Sequence, residues 1–225
     1  MKIVPGPAST QLGDKVAELL GVETVPLTFK TYPDGESYVR LEKKVENEEL
    51  AVVQTTSPHQ DTRLMQLAFI ADAAKRHRAK HVTAVVPYFA YARQDRAFLE
   101  GEAVSVEVVA RILKAAGIDS LVTVNVHQEK VMSKFPFSAK TISAVPLLAE
   151  YFKEKGYEKA FALAPDKGAL WLVEEAAEIL GGGCGFLEKQ RDRYTGQIVA
   201  EKKTIDVHGS KVVIFDDIIS TGGTI

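Results

Sequence analysis

The sequence holds one cysteine in 225 residues, Cys184. A single thiol cannot form an internal disulfide, and such sparing use fits a reducing compartment. Long apolar runs are missing too: nothing approaches the eighteen consecutive residues a membrane span needs. The opening "MKIVPGPAST" lacks the apolar core of a signal peptide. The expectation is a cytoplasmic protein with no membrane partner. Charge of one sign is also absent. Lys and Arg number 28 against 30 Asp and Glu, for a net charge of −2, so no broad basic field invites nucleic acid. The remainder is ordinary globular material, 46% hydrophobic and 26% charged. At 225 residues the chain is long for one domain and comfortable for two.

Along the chain, short apolar runs alternate with amphipathic stretches. "KIVPG" reads as a strand entering a turn, and residues 9–20 as a helix capped by Ser9 or Thr10 and ended by Gly21. "VPLTFKTYPDGE" and "SYVRLEKKV" read as strands about a Pro-Asp-Gly turn. "LAVVQTT" and "HVTAVVPYF" read as buried strands on either side of a helix that carries Leu64, Leu67, Ala68, Ala71 and Ala74 at helical spacing. The rhythm continues with a helix ending at Gly117, a strand "SLVTVNVH" ending on His127, a helix "AVPLLAEYFKEKG" and a strand "KAFALAPDKG". "LWLVEEAAEILGGG" is then a helix, residues 185–206 a β-ribbon with a charged tip, and "KVVIFDD" the closing strand. Such alternation predicts an α/β fold of mostly parallel sheets flanked by helices. Two sheets fit better than one, with the first domain at residues 1–140 and the second at 141–225.

"VVIFDDIISTGG", residues 212–223, carries the densest chemistry. In open α/β sheets, ligands bind beyond the carboxyl ends of strands. A strand ending in Asp216 and Asp217 delivers two anions there, suited to sugar hydroxyls or a divalent cation. The adjoining Ser220, Thr221, Gly222, Gly223 and Thr224 supply hydroxyl donors and a backbone able to approach a phosphate. A capped surface turn is the plainer reading of a lone Gly-Gly, but apolar strand, paired Asp and hydroxyl-glycine loop together favour phosphate.

Four other stretches stand out. "YPDGE", residues 32–36, reads by chemistry alone as a turn. "YFAYARQDRAF", residues 88–98, comes after a buried strand; it is either a solvated charged loop or, since arginine pairs with phosphates and stacks on flat rings, a nucleotide contact. "VNVHQEK" puts His127 at a strand end, where a structural histidine and a ligand are both open. In "LAPDKG", Asp166 suits a cation or a helix cap equally.

The terminal segment resembles the phosphoribosyl-binding signature shared by type I phosphoribosyltransferases and ribose-phosphate pyrophosphokinases. The ordered set of "YPDGE", "YARQD", the strand-end His127, "APDKG" and "VVIFDDIISTGGT" resembles the pyrophosphokinase branch across nearly the whole chain. That resemblance implies two phosphoribosyltransferase-like lobes related by pseudo-two-fold symmetry, with the active site between them. It implies transfer of the β,γ-diphosphoryl group of Mg-ATP to the 1-hydroxyl of ribose 5-phosphate, giving phosphoribosyl pyrophosphate and AMP for nucleotide biosynthesis. Residue by residue it implies ATP contacts by Arg93 and Gln94, and a loop of Tyr32, Asp34 and Glu36 that approaches adenine from a neighbouring subunit of a homo-oligomer. It implies Mg²⁺ at His127 and Asp166, ribose at Asp216 and Asp217, and the 5-phosphate at residues 220–224. Lys189 and Arg191, in "LEKQRDRYTG", match the Lys-x-Arg pair of the family's mobile catalytic flap. Chemistry agrees with a cationic flap, because displacement at phosphorus is catalysed mainly by positioning and cationic stabilisation.

The sequence departs from the commonest family form in two places. Gln128, Glu129 and Lys130 stand where many relatives carry a Ser-Gln segment, and Ser220 where many place an Asp. Phosphate activation and ADP inhibition are therefore not implied. The sequence stops at Ile225, at the start of the helix expected after the phosphate loop, whereas relatives continue through further helices and strands, so it reads as a truncated form, a cleaved product or the ordered part of a longer chain. Two rival readings keep the terminal signature. One is a plain type I phosphoribosyltransferase, with no use for Arg93, Gln94, Lys189 and Arg191; the other is a non-catalytic, synthetase-associated regulatory protein, which would have lost flap or metal-side residues.

Overall fold

A computed structural model describes residues 1–187, 205 and 207–219, together with the backbone of two short strands at 189–191 and 198–200. The chain divides into two compact units, Met1–Ile142 and Ser143–Ile225.

The first unit is built on five parallel strands: β1 (Lys2–Pro5), β4 (Glu49–Val53), β5 (His81–Val86), β6 (Ser120–Val124) and β7 (Ser138–Ile142), in the order β1-β4-β5-β6-β7. Parallel strands need crossovers, supplied here by α1 (Thr10–Leu20), α2 (Gln60–Arg76) and α3 (Ser105–Ala115). Side chains alternate across a strand, so Val4, Leu50 and Val52 enter one buried cluster while Ile3, Ala51 and Val53 enter another with Ala17 of α1. Both faces are thus covered, as an all-parallel sheet requires. Leu67, Ile70 and Leu113 are essentially inaccessible, and each such side chain contributes about 1.5–3 kcal/mol.

An antiparallel hairpin, β2 (Leu27–Thr31) and β3 (Ser37–Leu41), pairs from Leu27 with Leu41 to Thr31 with Ser37. Just before it, Thr24 bridges Ile3 in parallel on the side of β1 away from β4. The chain therefore leaves β1 one way and later returns on the other, and strand order reverses at β1 and β4. Between β1 and β4 the chain packs tightly past that reversal: a Cβ on Gly6 would lie 2.2 Å from Oε1 of the fully buried Gln54.

The second unit carries a three-stranded parallel sheet, β12 (Val212–Ile214), β8 (Phe161–Ala164) and β9 (Cys184–Phe186), in the order β12-β8-β9. Helices α4 (Val145–Phe152) and α5 (Leu170–Leu180) contribute Val145, Ala149, Leu172, Val173, Ala176 and Leu180 to a core with Ala162, Ala164, Val213 and Phe215. Strands β10 (Lys189–Arg191) and β11 (Ile198–Ala200) form an antiparallel ribbon.

Four local expectations need correction. Ser9 precedes α1 but makes no capping bond; its Oγ accepts the Thr55 N–H at 2.8 Å instead. Strand β6 stops three residues short of His127, because Asn125 turns at φ 41, a region Asn tolerates. The apolar run at 184–186 joins the parallel sheet beside β8 and not the ribbon. Strand β7, "SAKTI", is not legible as a strand, because at the sheet edge it exposes alternate residues and has no apolar run.

Candidate functional site

In the second unit, register decides the site. Strands β12 and β8 run parallel with Ile214 opposite Leu163, and the Phe215 N–H donates to Leu163 O at 3.1 Å. The residues just past each strand therefore emerge at the same carboxyl edge: Asp216 and Asp217 from β12, Asp166 from β8. The Asp217 N–H donates to Asp216 Oδ1 at 3.0 Å. Burial first, then the neighbouring Asp217 carboxyl and more weakly Asp166, push the Asp216 carboxyl up from 3.8 to about 6. Asp166 is exposed, and its Oδ1 accepts the Gly168 N–H at 2.7 Å, opening the short helix that leads into α5. It is a cap, and its charge lies within reach of the paired acids.

Lys189 and Arg191 sit on the backbone of β10; their side chains, and all of Ser220, Thr221, Gly222, Gly223 and Thr224, lie outside the described residues.

In the first unit, strands β5 and β6 align Val86 with Thr123. The segment 88–98 and His127 therefore leave the same edge of the sheet. Arg93 and Gln94 are exposed. Gln94 Oε1 accepts from Ser105 Oγ at the start of α3, its N–H donates to Tyr91 O at 3.0 Å, and the Tyr91 hydroxyl donates to Asp61. Tyr91 itself turns at φ 66. Arg96 stacks over Phe98 at 4.8 Å, so of the segment's two arginines it already uses a ring within the chain. His127 is half-buried, after the buried Val126, whose N–H donates to Thr141 Oγ1 at 3.2 Å.

The "YPDGE" stretch is a tight loop closing the hairpin. Tyr32 N–H donates to Glu36 O at 2.8 Å, Gly35 N–H to Tyr32 O at 2.9 Å, and Glu36 N–H to Asp34 Oδ1 at 3.1 Å. Gly35 takes φ 94, which a Cβ would strain. Tyr32, Asp34 and Glu36 are all exposed. A turn it is, with three side chains outside the core.

Sequence reasoning missed the buried polar groups beneath these loops. Gln66 of α2 is 1% exposed, and its Nε2 donates to Ser37 Oγ at 3.2 Å, at the foot of the hairpin loop. Its Oε1 accepts from Arg63 Nη1 at 3.0 Å and Gln54 Nε2 at 3.3 Å, and Gln54 Oε1 accepts the Ala8 N–H at 3.0 Å. The available signal was a glutamine set between Leu64 and Leu67 on the apolar stripe of a helix. A cavity of ≈ 480 Å³ between the start of α1 and β2, lined by Pro5, Pro7, Pro26 and Phe29 among others, contains none of the expected site residues.

Among the described residues, no three His, Cys, Asp or Glu side chains converge closely enough to hold a metal by themselves. The carboxylates at the β8 and β12 ends are nonetheless hard oxygen donors, of the kind that magnesium uses one or two at a time alongside substrate phosphates and water. Also among the described residues, no helix is long and apolar enough to cross a membrane.

Parallel sheets flanked by helices, with paired acids just past the strand β12 and a Ser-Thr-Gly-Gly sequence after them, define a phosphoribosyltransferase-fold protein. Residues 142–225 match the family described as the phosphoribosyl transferase domain, and residues 1–117 the N-terminal domain of ribose phosphate pyrophosphokinase. The chain is 40% identical over 226 residues to a ribose-phosphate pyrophosphokinase of Saccharolobus solfataricus, covering 100% of itself and 77% of that protein. It is 43% identical to ribose-phosphate pyrophosphokinase 2 of Archaeoglobus fulgidus, again covering 100% and 77%. The crystal structure of phosphoribosylpyrophosphate synthetase from Mycobacterium smegmatis matches with a TM-score of 0.85 at 32% identity, covering 100% of this chain and 73% of that one. The chain belongs to the ribose-phosphate pyrophosphokinase family.

Proposed function

We propose that the protein is a ribose-phosphate diphosphokinase, transferring the diphosphoryl group of Mg-ATP to the anomeric hydroxyl of ribose 5-phosphate. The observation that carries this reading is the joint presence of the paired acids at the β12 end and the Arg93–Gln94 loop at the β5 end, within a family match that spans both units. A plain phosphoribosyltransferase has no use for the second of these.

On this reading Asp216 and Asp217 accept hydrogen bonds from the ribose hydroxyls. Donors aimed at the ionised form draw a raised carboxyl pKa back down, so sugar binding relieves the strain that holds Asp216 near 6. Residues 220–224 receive the 5-phosphate through backbone N–H groups and hydroxyls. Arg93 and Gln94 bind ATP, with Arg93 against the adenine. The 1-hydroxyl attacks the β-phosphorus and gives up its proton to solvent, the bond from that phosphorus to the α,β-bridging oxygen breaks, and AMP leaves carrying the bridging oxygen. Lys189 and Arg191 neutralise charge on the transferring oxygens and exclude water, against which ATP hydrolysis competes. His127 and Asp166 would hold Mg²⁺, which when bound offsets phosphate charge and orients the diphosphoryl group.

Tyr32, Asp34 and Glu36 are assigned to the ATP site of a neighbouring copy, so the active form is a homo-oligomer. Their exposure at the tip of a hairpin supports that assignment. Domains at residues 1–140 and 141–225 divide the labour, nucleotide contacts in the first and ribose phosphate in the second.

Incubation of the full-length protein with Mg-ATP and ribose 5-phosphate tests the activity: AMP should form only when the sugar is present. AMP release independent of the sugar, or none at all, removes the assignment. Light scattering tests the assembly, which should exceed one chain.

A further inference from the structure

We propose that Thr56 is a positioning residue for the nucleotide loop, its hydroxyl fixing the backbone that presents Arg93 and Gln94. The inference rests on the reading of those two residues as ATP contacts.

Thr56 is fully buried, three residues past the end of β4. Its neighbour β5 ends at Val86 and is succeeded by Pro87, which has no N–H. A parallel ladder cannot continue through that position, because the next donor is missing. The Gln54 N–H still donates to Val85 O at 2.9 Å, and the next backbone bond, from Thr56 N–H to Tyr88 O, is longer at 3.2 Å. Beyond that break the Thr56 side chain adds two bonds of its own. Its Oγ1 donates to Tyr88 O at 2.6 Å and accepts the Ala90 N–H at 2.7 Å. One hydroxyl thus gives Tyr88 O a second, shorter bond and the Ala90 N–H an acceptor, in a place where Phe89, Ala90 and Ala92 are buried. A buried backbone group left unpaired is costly, so the turn has a strong preference for the arrangement the hydroxyl permits.

Apolar anchors alone do not fix this loop. Phe89 meets Phe135 edge-on at 5.3 Å, which sets how deep the chain lies. It does not set the rotation of the peptide planes from 88 to 90. That rotation determines how Tyr91 turns at φ 66, and two residues later where the Arg93 guanidinium is aimed. A shift of about an ångström at such a base is enough to misplace a binding group at the tip. Thr56 is buried with its hydroxyl committed to the backbone, so it acts through the peptides at Tyr88 and Ala90.

The test compares Thr56→Val, which keeps the shape and loses the hydroxyl, with Thr56→Ser, which keeps the hydroxyl. Both are assayed as full-length enzyme, with Arg93→Ala as a control on the reading of the loop. Thr56→Val is expected to raise KM for ATP about tenfold or more while KM for ribose 5-phosphate stays within about twofold, and Thr56→Ser to return KM for ATP to within about threefold of wild type. A role confined to stability would lower the melting temperature and the active fraction without separating the two KM values, and that result overturns the proposal. Where Thr56→Val does not fold, Thr56→Ala carries the same comparison. Amide exchange gives a check on the wild type itself: the Ala90 N–H should be protected, and exchange at the rate of an open loop overturns the proposal whatever the variants do. If Arg93→Ala leaves KM for ATP unchanged, the nucleotide reading of the loop falls and this inference with it. If Arg93→Ala raises that KM and the hydroxyl-free variants do not, only the positioning role is lost.

Discussion

The Asp217 N–H reaches back to Asp216 Oδ1 at 3.0 Å, yet the Asp216 carboxyl is held at about 6. The backbone donor favours ionisation, and it loses. Half-burial beside a second carboxyl outweighs it, so the strand end stores repulsion between like charges.

That balance predicts a pH dependence of stability. With the folded pKa near 6 and the unfolded value near 3.8, the folded chain keeps a proton that the unfolded chain has already released between those two values. Stability from this group is therefore intact below about 3.8 and falls as pH rises to about 6. Asp216→Asn should melt roughly 2–4 °C above wild type at pH 7.5 and show no such gain at pH 4. A gain of equal size at both pH values would mean that the carboxyl is not the cause.

Asp166 lends itself to a separation of its two possible roles. Asp166→Asn keeps an oxygen for the Gly168 N–H, whereas Asp166→Ala removes it. Both should raise the Mg²⁺ concentration needed for half-maximal activity, and only the alanine variant should also lose the cap, worth about 1 kcal/mol. If the asparagine variant responds to Mg²⁺ like wild type, Asp166 is a cap and nothing more.

For the flap, Lys189→Ala should lower kcat about a hundredfold or more with KM for both substrates within a few-fold, since the proposed contact forms mainly in the transition state. Steady-state rates decide this, and a change restricted to KM would assign the lysine to ground-state binding.

Beneath the hairpin, Gln66→Leu would leave Ser37 Oγ, Arg63 Nη1 and Gln54 Nε2 each short of a partner in a buried setting. A loss of about 2–3 kcal/mol is expected, measured by urea denaturation. Gln66→Glu should cost less, because it keeps the oxygen that accepts from Arg63 and Gln54, offers a counter-charge to Arg63, and can accept from the Ser37 hydroxyl where the glutamine donates to it. Equal losses would indicate that shape, not hydrogen bonding, governs the position.

Much of this was legible in the letters because parallel sheets bury both faces. "LAVV", "HVTAVV" and "SLVTV" can scarcely be anything but strands, and the carboxylates after "VVIF" are placed at a strand end by chain order alone. Edge strand β7 escapes notice because an edge needs only half the apolar content. The Ser9 cap fails because a hydroxyl chooses among donors brought from far along the chain, here Thr55, 46 residues away.

The sequence by itself determined the periodicities, the order of strands and helices, and the chemical type delivered at each strand end. Tertiary structure alone decided that β8 lies beside β12, bringing Asp166 to Asp216, and that Gln54, Thr56 and Gln66 turn inward beneath the loops. The reason is physical. Local pattern fixes what a segment can bury, but register and buried hydrogen bonds join residues distant in the chain, and their energies exist only once the sheet has formed.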